Sequence, residues 1–223
     1  MQAVDMASLL CSRLCHDLIS PVGSFYNGLE LLADENDPEM RAQCMELLTD
    51  SARKTSSRLR FYRLAFGTAS GLGDTIDPAE VHGALQGHFD KHSRINLHWL
   101  NGGEPMSRTA VKLLLNLAMI GGDALLRGGD LYVGAEKSGF GVEIVVRAEG
   151  PRLLIDEDVR KALQGDQVNG DAATRAAAAI FAHLLASEAG EADAPSHSSP
   201  SLTQEPAHDR PRLQPARARR PAA

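Results

Sequence analysis

Seven apolar residues, Leu10, Leu14, Leu18, Val22, Phe25, Leu29 and Leu32, recur at intervals of three and four near the start of the chain. At about 100° per residue they fall within roughly 120° of arc, so this stretch carries one apolar stripe that must be buried against another element. The spacing predicts a helix from Val4 to Ala33. The polar run Asp34-Glu35-Asn36-Asp37 ends it. Pro38 then follows a carboxylate cap, as expected of a residue with fixed φ and no amide hydrogen at a helix start. A second stripe, Cys44, Leu48, Ala52, Leu59, Tyr62 and Phe66, runs to Gly67 and a Gly/Ser/Thr-rich segment up to Asp74. The two helices make an antiparallel hairpin over residues 1–70. Such a hairpin buries too little surface alone, which predicts a homodimer in which two copies complete a four-helix bundle.

His16 lies nearly opposite the first stripe and is followed by Asp17, Ser20 and Pro21. Ser12, Ser20, Gly23 and Asn27 share its side of the wheel, and Arg13 lies on the flank one turn earlier. An imidazole, a carboxylate and a hydroxyl on a polar helix face of small residues suit phosphoryl transfer, because a neutral imidazole nitrogen is nucleophilic near pH 7. Pro21 lacks an amide hydrogen and is expected to bend the helix just below. Pairing the helices one residue back for each residue forward sets His16 opposite residues 53–56. Arg53, Lys54, Arg58, Arg60 and Arg63 are concentrated in this part of the second helix. They are a solvated surface near a helix C-terminus or a docking surface for an acidic partner.

From Asp74 the pattern becomes mixed. Helices are expected over 77–89, 106–126, 156–163 and 171–189, a strand over 94–100, and a hairpin of strands over 131–136 and 141–148 turning at Lys137-Ser138-Gly139. The fold class is therefore α+β, a helical hairpin followed by a two-layer α/β sandwich over 74–189. The Pro-, Ser-, Ala- and Arg-rich remainder, 190–223, reads as a disordered tail. A formal net charge of -6 with 4% aromatic residues argues against a nucleic-acid surface. No apolar run approaches the roughly 20 residues that span a bilayer, and no signal-peptide pattern opens the chain, so a cytoplasmic protein without a membrane partner is expected. Cys11, Cys15 and Cys44 suit reduced thiols. No metal set is assigned, since Cys15 and His16 diverge by about 100° on a helix.

The run Arg13-Leu14-Cys15-His16-Asp17-Leu18-Ile19-Ser20-Pro21, with Gly28-Leu29-Glu30-Leu31-Leu32, Ser51-Ala52-Arg53-Lys54 and Phe61 to Gly67, resembles the ChpT-type histidine phosphotransferases of alphaproteobacteria. The resemblance spans residues 5–189. More broadly, His16, Asp17 and Pro21 are spaced as in the phosphoacceptor box of dimeric sensor histidine kinases, whose second domain binds ATP. The helix around Asn116 resembles the magnesium-binding asparagine helix of those kinases, with Ile120 at the place of the second asparagine. Val146 to Arg152 resembles their adenine box, with Ala148 in place of its aspartate and Arg152 in place of its second glycine. An aliphatic side chain offers no oxygen to a hard cation, and alanine accepts no hydrogen bond from adenine. A degenerate ATPase-like domain that binds no ATP follows from these departures.

The resemblance implies that His16 relays a phosphoryl group between receiver-domain aspartates of a hybrid histidine kinase and of response regulators. No cofactor is then bound by this chain, and Mg2+ belongs to the receiver. Asp17 and Ser20 assist His16, while Ser12, Arg13, Gly23, Arg53 and Lys54 are expected at the docking surface. The alternatives are an active sensor-type kinase and a dimeric scaffold that binds receivers without carrying phosphate.

Overall fold

The computed structural model describes residues 2–67, 74–89, 94–101, 103–138 and 141–192. Helices α1 (Ala3–Asp34) and α2 (Pro38–Ala65) form the expected antiparallel hairpin. The Asp37 carboxylate accepts from the amides of Glu39 and Met40 at 2.9 and 3.0 Å, so the cap legible in the sequence starts α2. Arg41 holds the connection by donating to the carbonyl oxygens of Leu32 and Glu35.

The apolar stripe of α1 is divided between two surfaces. Met6, Pro21 and Gly28 are buried, whereas Val22, Phe25 and Leu29 stay 50, 37 and 45% exposed. The buried arc is thus turned by roughly 70° from the centre of the stripe. Helix α2 shows the same turn: Ser51 and Phe61 are inside, while Ala52 and Leu59, expected in its buried stripe, face solvent. The helices approach closely at Gly28, where an added Cβ would stand 3.0 Å from Leu48 Cδ2.

The remainder is α/β. Strands β1 (Thr75–Ile76) and β3 (Met106–Ser107) pair antiparallel. Strands β2 (Ile95–Trp99), β4 (Gly129–Ser138) and β5 (Gly141–Glu149) form a mixed sheet in the order β2-β4-β5, β2 parallel to β4 and β5 antiparallel to it. Helices α3 (Pro78–His88), α4 (Arg108–Ala124), α5 (Glu157–Leu163), α6 (Asp171–Arg175) and α7 (Ala177–Ala192) complete it. Two expected helices begin or end elsewhere. Met106 and Ser107 pair with β1, and the Ser107 hydroxyl caps α4 by accepting from Ala110 N. The helix expected over 171–189 is interrupted at Ala176, and α7 continues to Ala192, past the expected start of the tail. Lys137 and Ser138, expected in the turn, are in β4; Gly139 of that turn, residues 68–73, 140 and the tail beyond 192 lie outside the described residues.

Helix α4 is the centre of the core, with Val111, Leu114, Leu115, Asn116 and Ala118 at 0% exposure. One apolar cluster joins it to Leu131 and Val133 of the sheet, to Ala177, Ala179 and Ala182 of α7, and to Met6, Phe61 and Tyr62 of the hairpin. Two successive glycines let α4 close on both sides: a Cβ on Gly121 would stand 2.9 Å from Leu131, and one on Gly122 only 2.3 Å from the Phe89 ring. The top of the hairpin is therefore packed against the α/β half, while its lower half stands clear with its apolar face uncovered.

Candidate functional site

His16 projects from α1 with its side chain 81% exposed. Its Nδ1 lies 3.0 Å from Asp17 Oδ1. An ionised carboxylate can only accept there, which favours the tautomer with the proton on Nδ1 and, in the neutral ring, the lone pair on Nε2.

Asp17 is not an ordinary surface carboxylate. Its side chain is only 16% exposed, and Oδ2 accepts from Arg13 Nε at 2.7 Å and from the Tyr62 hydroxyl at 2.5 Å. Burial pushes its pKa up, but the Tyr62 hydrogen bond, the Arg13 charge and the His16 contact together hold it below the usual aspartate range. Tyr62 moves oppositely: burial, and then the anion it donates to, raise its pKa well above the ordinary tyrosine value. Asp17 therefore stays ionised and Tyr62 stays protonated through the neutral range.

Pro21 gives the second anchor. Having no amide hydrogen, it leaves the carbonyl oxygen of Asp17, four residues earlier, without its helical partner. Arg58 of α2 donates to that oxygen through Nη1. Backbone and side chain of Asp17 are thus both held by α2, and α1 remains one helix through the proline. This explains the spacing from Asp17 to Pro21: the proline releases the acceptor on the residue that orients the histidine.

Arg13 was expected on the flank of the docking face. It is instead 16% exposed, with Nε on Asp17 and Nη2 on Asp123 Oδ2 at 2.8 Å. Burial alone would lower its pKa; the two carboxylates overcome this and raise it. Ser12 and Ser20 are exposed on the His16 side, and a Cβ on Gly23 would meet nothing within 4 Å, so the surface beside His16 is open. Arg53 and Lys54 are not at the level of His16. Asp17 meets Arg58 and Tyr62, and Gly28 meets Leu48, which sets Arg53 and Lys54 about six residues, roughly 9 Å, further along the bundle. The helices are thus shifted by more than one and a half turns from the level given by a simple count from the loop, and Lys54 pairs with Asp50 at 2.7 Å. Tyr62, Arg58 and Asp123 belong to the site; the sequence reading placed Tyr62 only in the apolar stripe and Arg58 only in the basic cluster of α2, and did not name Asp123.

The positions compared with kinase boxes lie on α4 and β5. Asn116 is fully buried, and its amide donates to the carbonyl oxygens of Ala65 at 3.2 Å and Lys112 at 2.8 Å, tying the end of α2 to α4. Ile120 is buried in the same helix. Ala148 pairs with Leu131 across β4 and β5, with its methyl 4.0 Å from where a Gly121 Cβ would stand.

Residues 78–192 match the family model "Histidine phosphotransferase C-terminal domain". Protein phosphotransferase ChpT of Brucella abortus (strain 2308) is 35% identical over 190 residues, 85% of this chain and 89% of that protein. This chain belongs to the histidine phosphotransferase family. A solved structure described as a bacterial phosphotransferase at 1.7 Å superposes on it with a TM-score of 0.74 at 34% identity, covering 85% of this chain and 89% of that one. The phosphotransferase thus carries its exposed imidazole on the hairpin, ahead of the family-defining α/β half. Among its described residues, no helix is long and apolar enough to cross a membrane.

Proposed function

We propose that His16 is the phosphoacceptor of this histidine phosphotransferase, taking a phosphoryl group from the aspartyl phosphate of one receiver domain and giving it to the aspartate of another. The observation that carries the reading is the pairing of an 81% exposed ring with a carboxylate on its Nδ1 side. Nε2 attacks phosphorus, the N–P bond forms, and the bond to the donor carboxylate oxygen breaks, returning that carboxylate as the leaving group. The ring becomes cationic, and Asp17, accepting at Nδ1–H, stabilises that charge. Attack by the next aspartate reverses the step.

Magnesium and the charge that neutralises the moving phosphoryl group come from the receiver on this reading. The aliphatic side chains of Ile120 and Ala148, which offer no oxygen to a magnesium ion and no acceptor to adenine, support a chain that uses no ATP. The relay operates in the cytoplasm, where receiver domains meet it. Ser12, Ser20 and Gly23 form the surface a receiver approaches.

The same reading makes the protein a dimer. A groove of about 450 Å³ between the hairpin helices is lined by Val22, Phe25, Ala52 and Leu59 together with Arg60 and Arg63. A second hairpin set on this face buries the exposed part of the α1 stripe and completes a four-helix bundle.

The test is to mix the chain with a phosphorylated receiver domain and map acid-labile phosphate by mass spectrometry. Label at His16, lost in His16→Ala together with transfer to a second receiver, is expected. Undiminished transfer in His16→Ala overturns the assignment, and self-labelling from ATP and magnesium overturns the ATP-independent reading.

A further inference from the structure

We propose that Asp123, at the end of α4, is a positioning residue for His16, acting through Arg13 and Asp17, so that the α/β half sets the nucleophile on the hairpin. This rests on His16 being the phosphoacceptor.

Four side chains form a continuous chain of contacts: Asp123 Oδ2 to Arg13 Nη2 at 2.8 Å, Arg13 Nε to Asp17 Oδ2 at 2.7 Å, and Asp17 Oδ1 to His16 Nδ1 at 3.0 Å. The guanidinium is shared by two carboxylates from different parts of the molecule. Its planar fork places Nε and Nη2 on separate anions, a geometry that lysine does not reproduce. The charged and titratable groups meeting at this junction are Arg13, His16 and Asp17 from α1, Arg58 and Tyr62 from α2, and Asp123 from α4.

The position of Asp123 is unfavourable for α4 alone. A carboxylate in the last turn opposes the helix dipole, and that turn has no basic residue of its own. Arg13, from 110 positions earlier, supplies the missing cation. The backbone beneath Asp123 is fixed by the close approaches of Gly121 to Leu131 and Gly122 to Phe89. A carboxylate on so well-fixed a base holds the guanidinium, which in turn sets how much of the Arg13 charge falls on Asp17.

The sign of the effect follows. Without Asp123, Arg13 pairs with Asp17 alone and draws its negative charge away from His16. The hydrogen bond at Nδ1 weakens, Nε2 becomes less basic, and attack on phosphorus slows. Removing Arg13 has the opposite effect on basicity, because Asp17 then serves His16 with fewer competitors. A field acting through space gives the same two signs, so the double variant decides. If Arg13 carries the influence, Asp123→Asn has no effect once Arg13→Gln is present.

The experiment follows the His16 ring by NMR titration of the unphosphorylated full-length chain, with His16→Ala assigning the resonance, and measures labelling with phosphoramidate by intact mass. These readouts need no receiver, so a failure of the receiver assay leaves them interpretable. Asp123→Asn is expected to lower the His16 midpoint by about 0.5 unit and slow labelling about threefold, with Asp123→Glu restoring both. Arg13→Gln is expected to raise the midpoint, and the double variant to match Arg13→Gln. A His16 midpoint unmoved by Asp123→Asn, whether or not thermal stability falls, makes the pair a clamp and overturns the proposal. Additive shifts in the double variant also overturn it.

Discussion

Helices α1 and α4 are both rich in leucine, yet they bury it differently. In α4, a 17-residue helix, twelve residues are buried; in the 32-residue α1 only Met6, Pro21 and Gly28 are. Helix α4 is enclosed by the sheet, α7 and α2, so its composition is spent within one chain. Helix α1 presents an imidazole on one side and unsatisfied apolar surface on another, and both call for something outside the chain. The lesson is that hydrophobic content alone does not locate the core: the same residues build an interior in one helix and leave an exposed stripe on the other.

The contrast breaks most directly at the groove. Leu29→Asp places a charge on the exposed stripe, and for the proposed dimer this is expected to weaken association at least a hundredfold, about 2.7 kcal/mol, as followed by sedimentation. The monomer's far-ultraviolet circular dichroism should be nearly unchanged, because Leu29 is 45% exposed within one chain. Unchanged sedimentation would return α1 to the status of a helix that simply exposes its leucines.

Gly122→Ala tests the opposite member of the pair. Its methyl would overlap the Phe89 ring, and we expect a loss of about 2 kcal/mol in denaturant unfolding, with Phe89→Leu partly relieving it. A neutral result would mean that α4 is less tightly confined than its burial indicates.

The smallest effect lies where α1 is held by α2. Tyr62→Phe removes the hydroxyl from Asp17 and is expected to cost about 1.5 kcal/mol at neutral pH. The pH dependence has a definite sign. Asp17 titrates below its ordinary value, so its stabilisation is present above the unfolded aspartate pKa of about 4 and is lost as pH falls through the lower folded value. Urea midpoints between pH 2 and pH 5 should therefore fall less steeply in Asp17→Asn than in the parent. Parallel curves would show that the carboxylate gains nothing from its neighbours.

Much of this was legible in the chain. The caps Asp37, Asp77 and Asp156 mark helix starts because a short polar side chain before a helical run has one favourable use, whereas Ser107, expected inside its helix, is the cap of α4. His16 was placed opposite the apolar stripe by periodicity, and it is exposed. The two-residue strands β1 and β3 were not legible, since two residues carry no period. The level of Arg53 and Lys54 was misjudged because helix stagger is set by the fit of Leu48 against Gly28, a tertiary property. Arg13 was placed at the docking surface and its bond to Asp123 missed because that carboxylate lies 110 positions away, and local pattern says nothing about a contact of that range.

The fit of Gly122 against Phe89 also has a mechanical meaning. A helix end that cannot slide serves as a datum, a fixed reference from which the rest of an assembly is gauged. Asp123 stands on that datum, one residue beyond the contact. Repacking Phe89, a core residue with no part in the chemistry, would therefore recalibrate the seat of Arg13 and the alignment of His16, so that errors of volume deep in one half would be felt as errors of aim in the other.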